Sequence, residues 1–369
     1  MNPLICTACQ SAYPLHEPIW RCPCGGLLDI QFEPRLDRAV DYRVALSTRK
    51  PTLWRYREAL PLPPGAEAIS FDQGYTPLLE IEVGGRTVWI KQDQLFSTGS
   101  YKDRGAAVLI AHANALGVDA VVEDSSGNAG CAIAAYCARA GIACTVYVPQ
   151  STSAAKLAQI EAYGATLRRV PGTRQDTADA VLAAAETTYY ASHSWNPFFF
   201  HGTKTFAYEV VEQLGWTAPD TVVLPAGNGT LLLGAAIGFR ELQSLALIER
   251  LPRLVAVQAG NCAPLYREFH GLPPMAQPSA TVAAGIAIAK PIRGPQILAA
   301  VRESGGTILA VSEAEIARAH AATCRRGFYV EPTSAATIAG LAQYVQTAPP
   351  DECIVSVYTG HGLKAVGKH

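Results

Sequence analysis

The 369-residue sequence predicts an α/β protein with parallel sheets and a small cysteine-rich module at its N-terminus. Three observations predict it. From about residue 80, short apolar runs bounded by Gly or Pro alternate with Ala-rich stretches of helical period, which is the pattern of parallel βα units. Gly141 and Gly164 stand just past two of those stretches, where a helix commonly ends on a left-handed residue. Four of the ten cysteines, Cys6, Cys9, Cys22 and Cys24, fall near the start and set that segment apart.

Taken in chain order, Val118 to Glu123 reads as a strand, SSGNAG as a turn and Ala129 to Arg139 as a helix. Ile142 to Val148 reads as a strand, Ser151 to Tyr163 as a helix and Ala165 to Val170 as another strand, so a compact α/β region spans residues 114–202. A helix begins near Thr205. Thr221 to Leu224 is a short strand, and the loop Ala226-Gly227-Asn228-Gly229-Thr230 launches a helix over Leu231 to Leu242. Further strands are expected at Leu254 to Gln258, Thr307 to Val311 and Cys353 to Tyr358, with helices at Glu313 to Arg325 and Ser334 to Val345. Gly271 to Gly285, rich in Pro, Ala and Ser, reads as a surface loop.

The chain is long enough for more than one core, since single cores rarely grow past about 250 to 300 residues. Charged residues are 17% against a usual share of about 25%, so much of the chain should be buried and disorder is not expected. A net charge of −1 and a pI near 6.7 leave no electrostatic footprint for nucleic acid or an anionic membrane, which favours small neutral or zwitterionic ligands. The opening MNPLICTACQ has no basic region followed by an apolar run, and no later stretch reads as a membrane span, so a cytoplasmic protein is expected. Cys131, Cys137, Cys144 and Cys353 lie inside apolar patterns and should be buried thiols.

Three loops carry the distinctive residues, and ligands of open α/β sheets bind at the carboxyl ends of strands. In Ser97-Thr98-Gly99-Ser100-Tyr101-Lys102-Asp103-Arg104-Gly105, Ser100 is placed to cap a helix and Asp103 to reciprocate, which puts Lys102 in the first turn. A cation there opposes the helix dipole at a cost of about 0.3 to 1 kcal/mol, and a covalent bond to a cofactor aldehyde would account for it. Ser125-Ser126-Gly127-Asn128-Ala129-Gly130 offers hydroxyls, an amide and backbone N–H groups at a helix start. Gly227-Asn228-Gly229-Thr230 lets the backbone approach an anion, for which a phosphate is the natural guest. Neither G-x-G-x-x-G after the first strand nor a Walker-type G-x-x-x-x-G-K-[ST] is present, which counts against nucleotides.

With these loops in view, the sequence resembles the fold type II pyridoxal phosphate (PLP) enzymes of the tryptophan synthase β-like family, and within them the threonine synthases. The match runs from about Lys91 to Lys364 through STGSYKDRG, SSGNAG, NPFFFHGTKTFAYE, GNGT, EPTSA (Glu331 to Ala335) and TGHGLK (Thr359 to Lys364), in the family's order. The resemblance implies two three-layer αβα domains, the larger comprising residues 31–113 and 203–369 and the smaller residues 114–202, after an N-terminal module of residues 1–30. It makes Lys102 the Schiff-base lysine, Asn128 the partner of the cofactor's 3-hydroxyl, and Gly227, Asn228, Gly229 and Thr230 the phosphate cradle. Thr359 would face the pyridine nitrogen; a hydroxyl does not hold that nitrogen protonated as an aspartate does, which favours elimination and replacement over transamination. Thr98, Ser125 and Ser126 are candidates for the substrate carboxylate. The implied reaction converts O-phosphohomoserine and water to threonine and phosphate, and the family pattern also implies a homodimer.

The sequence departs from that pattern at definite places. Phe96-Ser97 replaces the family's Asn-Pro, and Tyr101 replaces Phe. The family's segment before G-x-K-T carries an arginine resembling a clamp for the substrate phosphate, whereas Asn196-Pro197-Phe198-Phe199-Phe200 has none, and His193 stands where a polar amide is expected. Lys91, Arg104, His201 and Lys204 are the candidates to compensate. The alternative reading is a threonine or serine dehydratase, or a β-replacement enzyme such as cysteate synthase, acting on a less charged side chain. Finally, Cys6-x-x-Cys9 and Cys22-Pro-Cys24 have the spacing of two zinc-ribbon knuckles, and four thiolates leave no open position, so a zinc there would be structural.

Overall fold

The structure, a computed structural model, describes residues 3–34 and 41–365. The chain forms two compact units, one made of Met1–Tyr75 and Lys102–Thr203 and the other of Thr76–Tyr101 and Lys204–His369. Among the described residues no helix is long and apolar enough to cross a membrane.

In the first unit a four-stranded, all-parallel sheet runs in the order Thr166–Val170, Ala143–Pro149, Ala120–Glu123, Tyr189–Tyr190. Parallel neighbours need crossovers, and these are the helices Asn128–Ala140, Ala154–Ala162 and Arg174–Ala184. The alternating apolar residues of the strands, such as Val146 and Val148, are fully buried with Ile133, Leu157 and Ile160 of the helices. A separate three-stranded antiparallel sheet has Pro3–Cys6 between Ala12–Pro14 and Leu28–Ile30, and carries the four cysteines.

Two glycines let the helices Lys102–Ala115 and Pro197–Thr203 meet backbone to backbone. A Cβ at Gly202 would lie 2.2 Å from the Arg104 carbonyl oxygen, and one at Gly105 would lie 2.4 Å from the Phe199 ring. Glycine is required at both positions, and the contact seats Phe199 beside the start of the lysine helix.

The second unit is built on a six-stranded sheet in the order Thr307–Val311, Arg253–Ala259, Thr221–Pro225, Ile354–Val357, Arg86–Lys91, Leu78–Val83. All neighbours are parallel except the edge hairpin Leu78–Val83 with Arg86–Lys91. Helices Thr230–Ser244, Gly294–Glu303, Glu313–Arg325 and Pro332–Tyr344 accompany it. The core joins Val223, Val255 and Val257 of the strands to Ala335, Ala336 and Leu341 of the last helix.

The expected strand Thr307–Val311 and helix Glu313–Arg325 are present over those spans, and the remaining expected elements shift by a few residues. The helices Arg174–Ala184 and Gly294–Glu303 and the edge hairpin were not read from the sequence. The division of the chain also differs from residues 1–30, 31–113 with 203–369, and 114–202. Residues up to Tyr75 and the helix Lys102–Ala115 belong with the four-stranded sheet. The physical reason is packing: the lysine helix buries Ala106 to Ile110 completely in the same core as Ile133 and Val146, and Trp20 donates from Nε1 to Ala185 O at 3.2 Å.

His112 makes this packing sensitive to acid. Its Nε2 lies 2.8 Å from Leu15 O and its ring stacks on Phe198 at 3.5 Å. Burial holds its pKa down from the ordinary 6.5 to about 4, against the opposing effect of the Leu15 carbonyl. An unfolded chain accepts a proton near the ordinary value while the folded chain refuses it, so stability falls as pH drops through that interval and levels off below it. Lowering pH from about 7 to about 5 should therefore remove about 2 kcal/mol from urea-denaturation stability of this unit. A His112→Gln variant should lack that part of the slope, and an unchanged slope would refute the assignment.

Candidate active site

In the first unit, the loop after strand Ala120–Glu123 leads directly into the helix Asn128–Ala140. Gly127 is its N-cap and makes no side-chain cap bond; instead the Ser125 hydroxyl accepts from the Gly127 N–H at 3.2 Å. A Cβ at Gly130 would lie 1.8 Å from Ser125 O, so only glycine allows the loop to fold back over the first turn. Ser125, Ser126 and Asn128 are half-buried at this edge. Lys102 begins its own helix, also half-buried, with its Nζ 5.6 Å from the centroid of the Phe199 ring.

The expected cap from Ser100 does not form. Its side chain is fully buried and its hydroxyl has no hydrogen-bond partner among the described residues. The backbone explains this, because Ser100 is drawn into an antiparallel bridge with Gly360.

In the second unit, Gly229 takes the left-handed conformation at φ +68° and opens the helix Thr230–Ser244 without a side-chain cap. A Cβ there would lie 2.4 Å from Ile297. Gly227, Gly229 and Thr230 are buried and Asn228 is half-buried. Tyr101 ties this loop to the end of the chain: its hydroxyl is 2.8 Å from the Thr230 hydroxyl, and its N–H donates to Thr359 O at 2.9 Å. Lys364 Nζ donates to Thr98 O at 2.9 Å. Thr98, the GNGT loop and Thr359 are thus brought together, and Lys102 is the residue that follows Tyr101 in the chain.

Thr359 is fully buried. Its hydroxyl donates to Glu331 Oε1 at 2.8 Å and lies 2.9 Å from Ser334 Oγ, which also accepts the Thr359 N–H at 2.8 Å. Glu331 and Ser334 were not singled out individually, although EPTSA contained both. A Cβ at Gly360 would lie 2.5 Å from the Glu331 carboxyl carbon, so the glycine makes room for that carboxylate.

The four residues considered as substitutes for the absent arginine are all buried. Lys91 Nζ pairs with Glu209 at 2.8 Å and donates to Thr76 O at 2.6 Å, with both charged side chains fully buried. Lys204 Nζ pairs with Glu241 at 2.6 Å, and the Tyr208 hydroxyl donates to the same carboxylate at 2.9 Å. Arg104 has no exposed surface, and His201 packs edge-on to Phe32. The expectation that Lys91 and Lys204 compensate is therefore corrected, because each is already paired with a buried carboxylate.

At the N-terminus the sulfurs of Cys6, Cys9, Cys22 and Cys24 all lie within 4.8 Å of one another, with Cys6–Cys24 and Cys9–Cys22 at 3.5 Å. Four thiolates about 2.3 Å from one tetrahedral zinc would stand about 3.8 Å apart, so the cluster has the right size. A Cβ at Gly26 would lie 2.6 Å from Cys6 Sγ, and the N–H groups of Ala8 and Cys9 point at that sulfur at 3.4 and 3.5 Å.

Comparison with known proteins bears on this geometry. Residues 69–360, more than half of the chain, match the family described as "Pyridoxal-phosphate dependent enzyme". The chain belongs to the pyridoxal-phosphate dependent enzymes.

A curated relative named threonine synthase from Methanocaldococcus jannaschii is 38% identical over 97% of this chain and 92% of its own length. A threonine synthase from Methanosarcina acetivorans is 34% identical over 99% and 92%, and one from Mycobacterium bovis is 37% identical over 84% and 87%. Among solved structures, the processed threonine deaminase isoform 2 from Solanum lycopersicum superposes with a TM-score of 0.69 at 22% identity, covering 89% of this chain and 92% of that one. Serine racemase from Dictyostelium discoideum gives 0.67 at 25%, covering 85% and 99%. These likenesses show the shared fold, with helix-flanked sheets.

The residues present fit the family's cofactor. A lysine stands at a helix start, an uncapped helix N-terminus behind left-handed Gly229 offers N–H groups to a phosphate, and the buried Ser100 hydroxyl still lacks a partner.

Proposed function

We propose that this PLP enzyme is a threonine synthase, converting O-phosphohomoserine and water to threonine and phosphate. Relatives of that name, aligned over nearly the whole chain, support the reading. The observation that carries it is Tyr101, whose hydrogen bonds tie the glycine loop and Thr359 to the residue immediately before Lys102. In this reading Lys102 holds the cofactor aldehyde, Asn128 meets the 3-hydroxyl, Gly227, Asn228, Gly229 and Thr230 hold the phosphate, and Thr359 meets the ring nitrogen. Thr98, Ser125 and Ser126 serve the substrate carboxylate.

When bound, the cofactor supplies an electron sink conjugated to the substrate's α-carbon. Lys102, as a free amine, would be the base for the α-proton, and its flexible stem would let it pass protons further along the side chain. With its own proton given to Glu331, Thr359 presents a lone pair to whatever faces it. The half-buried hydroxyls of Ser125 and Ser126, at the edge that also carries Asn128, are suited to orient the carboxylate.

One observation favours the second reading, a dehydratase or β-replacement enzyme. Phe199 lies against Lys102, and Lys91 and Lys204 are consumed by internal ion pairs. Incubation with O-phosphohomoserine, threonine and serine in parallel separates the two. Phosphate and threonine should appear from the first substrate; keto acid from the others with no phosphate release would discard threonine synthase. A cytoplasmic homodimer completes the proposal, and a monomer by sedimentation would remove that part.

We also propose that residues 1–30 are a ribbon holding one structural zinc on Cys6, Cys9, Cys22 and Cys24. Purified protein should carry one zinc per chain by elemental analysis. Cys22→Ser should lose it and destabilise the N-terminal sheet, because the buried Cys22 thiolate is a quarter of a closed coordination shell. Metal-free wild type with the same melting behaviour would contradict the proposal.

A further inference from the structure

Two side chains of the first unit have no role in the reading above, and they pair with each other. Glu123 ends the strand that feeds the Ser125–Gly130 loop, and its side chain is fully buried. One carboxyl oxygen is 2.8 Å from His193 Nδ1, and the other has no hydrogen-bond partner among the described residues. Burial pushes the Glu123 carboxyl up, against the opposing influence of His193. A carboxyl so placed fixes the orientation and tautomer of an imidazole and leaves the other ring nitrogen to act.

That other nitrogen is available. The His193 side chain is 12% exposed, and its Nε2 makes no hydrogen bond among the described residues. The ring packs edge-on to Phe199, with centroids 6.1 Å apart. Lys102 Nζ borders the same Phe199 ring at 5.6 Å. The other charged groups at this spot are Asp124 and Arg174, and they satisfy each other. Asp124 is held by Arg174 and accepts from the Tyr190 hydroxyl at 2.8 Å, leaving His193 to Glu123 alone.

The chain thus lacks a cation where the family pattern has its phosphate-clamp arginine, and it has a carboxylate-held imidazole at the position of the expected amide. We infer that His193, positioned by Glu123, meets the phosphate of the substrate side chain through Nε2 and protonates it as it leaves. The Cγ–O bond breaks with its electron pair passing to the phosphate oxygen, and the Nε2 proton passes to that oxygen. When water adds its hydroxyl to the β-carbon, the proton it releases returns to Nε2, and the α- and β-protons taken up by Lys102 go back to the α- and γ-carbons, so the cycle balances without another reactant. This inference rests on the threonine synthase reading.

The test uses the PLP-loaded full chain and a non-eliminating phosphonate isostere of O-phosphohomoserine, whose binding is read without turnover. In protein labelled with 15N-histidine, the His193 ring resonances should shift on adding the isostere. His193→Gln should weaken isostere binding at least about tenfold and lower phosphate release roughly 100-fold, as expected for loss of a proton donor. It should also remove one limb of the pH profile. Glu123→Gln should retain that limb with a shifted midpoint, since the imidazole remains.

Unmoved His193 resonances with equal isostere affinity in the folded His193→Gln variant would overturn the inference and leave the pair a structural contact. If the wild type releases no phosphate from O-phosphohomoserine, the threonine synthase reading fails separately. The isostere arm then decides alone whether His193 marks a phosphate site.

Discussion

Lys102→Ala should lower turnover of O-phosphohomoserine by roughly 10⁴-fold or more, the upper range for losing a positioned proton-transfer group, while leaving the fold intact. The lysine is half-buried at a helix start, with no place in the core, so its removal leaves no cavity of consequence and takes away a cation that opposes the helix dipole. The variant should therefore unfold at the same urea concentration as the parent, or slightly higher. Wild type treated with PLP and borohydride should gain a stable phosphopyridoxyl label on the peptide containing Lys102. The variant should gain none. A label on any other lysine, or turnover within tenfold of wild type, would remove the basis of the proposed mechanism.

The second large effect concerns stability. Lys91→Met should destabilise the second unit by about 3 to 5 kcal/mol, because it strands the Glu209 carboxylate without its counter-charge. Both side chains are fully buried, and the lysine also donates to Thr76 O and to Gln213 at 2.7 Å. Lys91 closes the strand Arg86–Lys91, and its carbonyl accepts the Tyr358 N–H at 2.9 Å, one residue before Thr359. Loss of the pair should loosen that strand end and weaken PLP binding in parallel. Removing both charges with Lys91→Met and Glu209→Leu should recover most of the lost stability, since a buried pair replaced by apolar groups is often neutral. Additive effects in the double variant would show that the two charges do not depend on each other.

Local signals account for what could be read early. A parallel βα repeat depends on apolar strands, turn glycines and alanine-rich helices, all of which act over a few residues, so Thr307–Val311 and Glu313–Arg325 were visible before any tertiary information. The edge hairpin was missed because Leu78–Val83 exposes Leu79, Glu80 and Glu82 and shows no continuous apolar run. Ser100 was misread for a related reason: a serine two residues ahead of a helix is a common cap, and its bridge to Gly360 links positions 260 apart in the chain.

The candidate site divides along the same line. Lys102, Asn128, the GNGT loop and the paired cysteines are each recognisable from a short string, because a helix start, a glycine turn or a C-x-x-C knuckle is local chemistry. The sequence by itself therefore determined the family, the fold class and the residues at which a cofactor would be sought. Only the tertiary structure decided which charges remain accessible. Lys91 and Lys204 look identical to surface lysines in a string, yet each is enclosed with a carboxylate, whereas His193 keeps one nitrogen unbonded because Glu123, seventy positions earlier, holds the other. Burial and pairing depend on distances between remote segments, and no short run of residues encodes those distances.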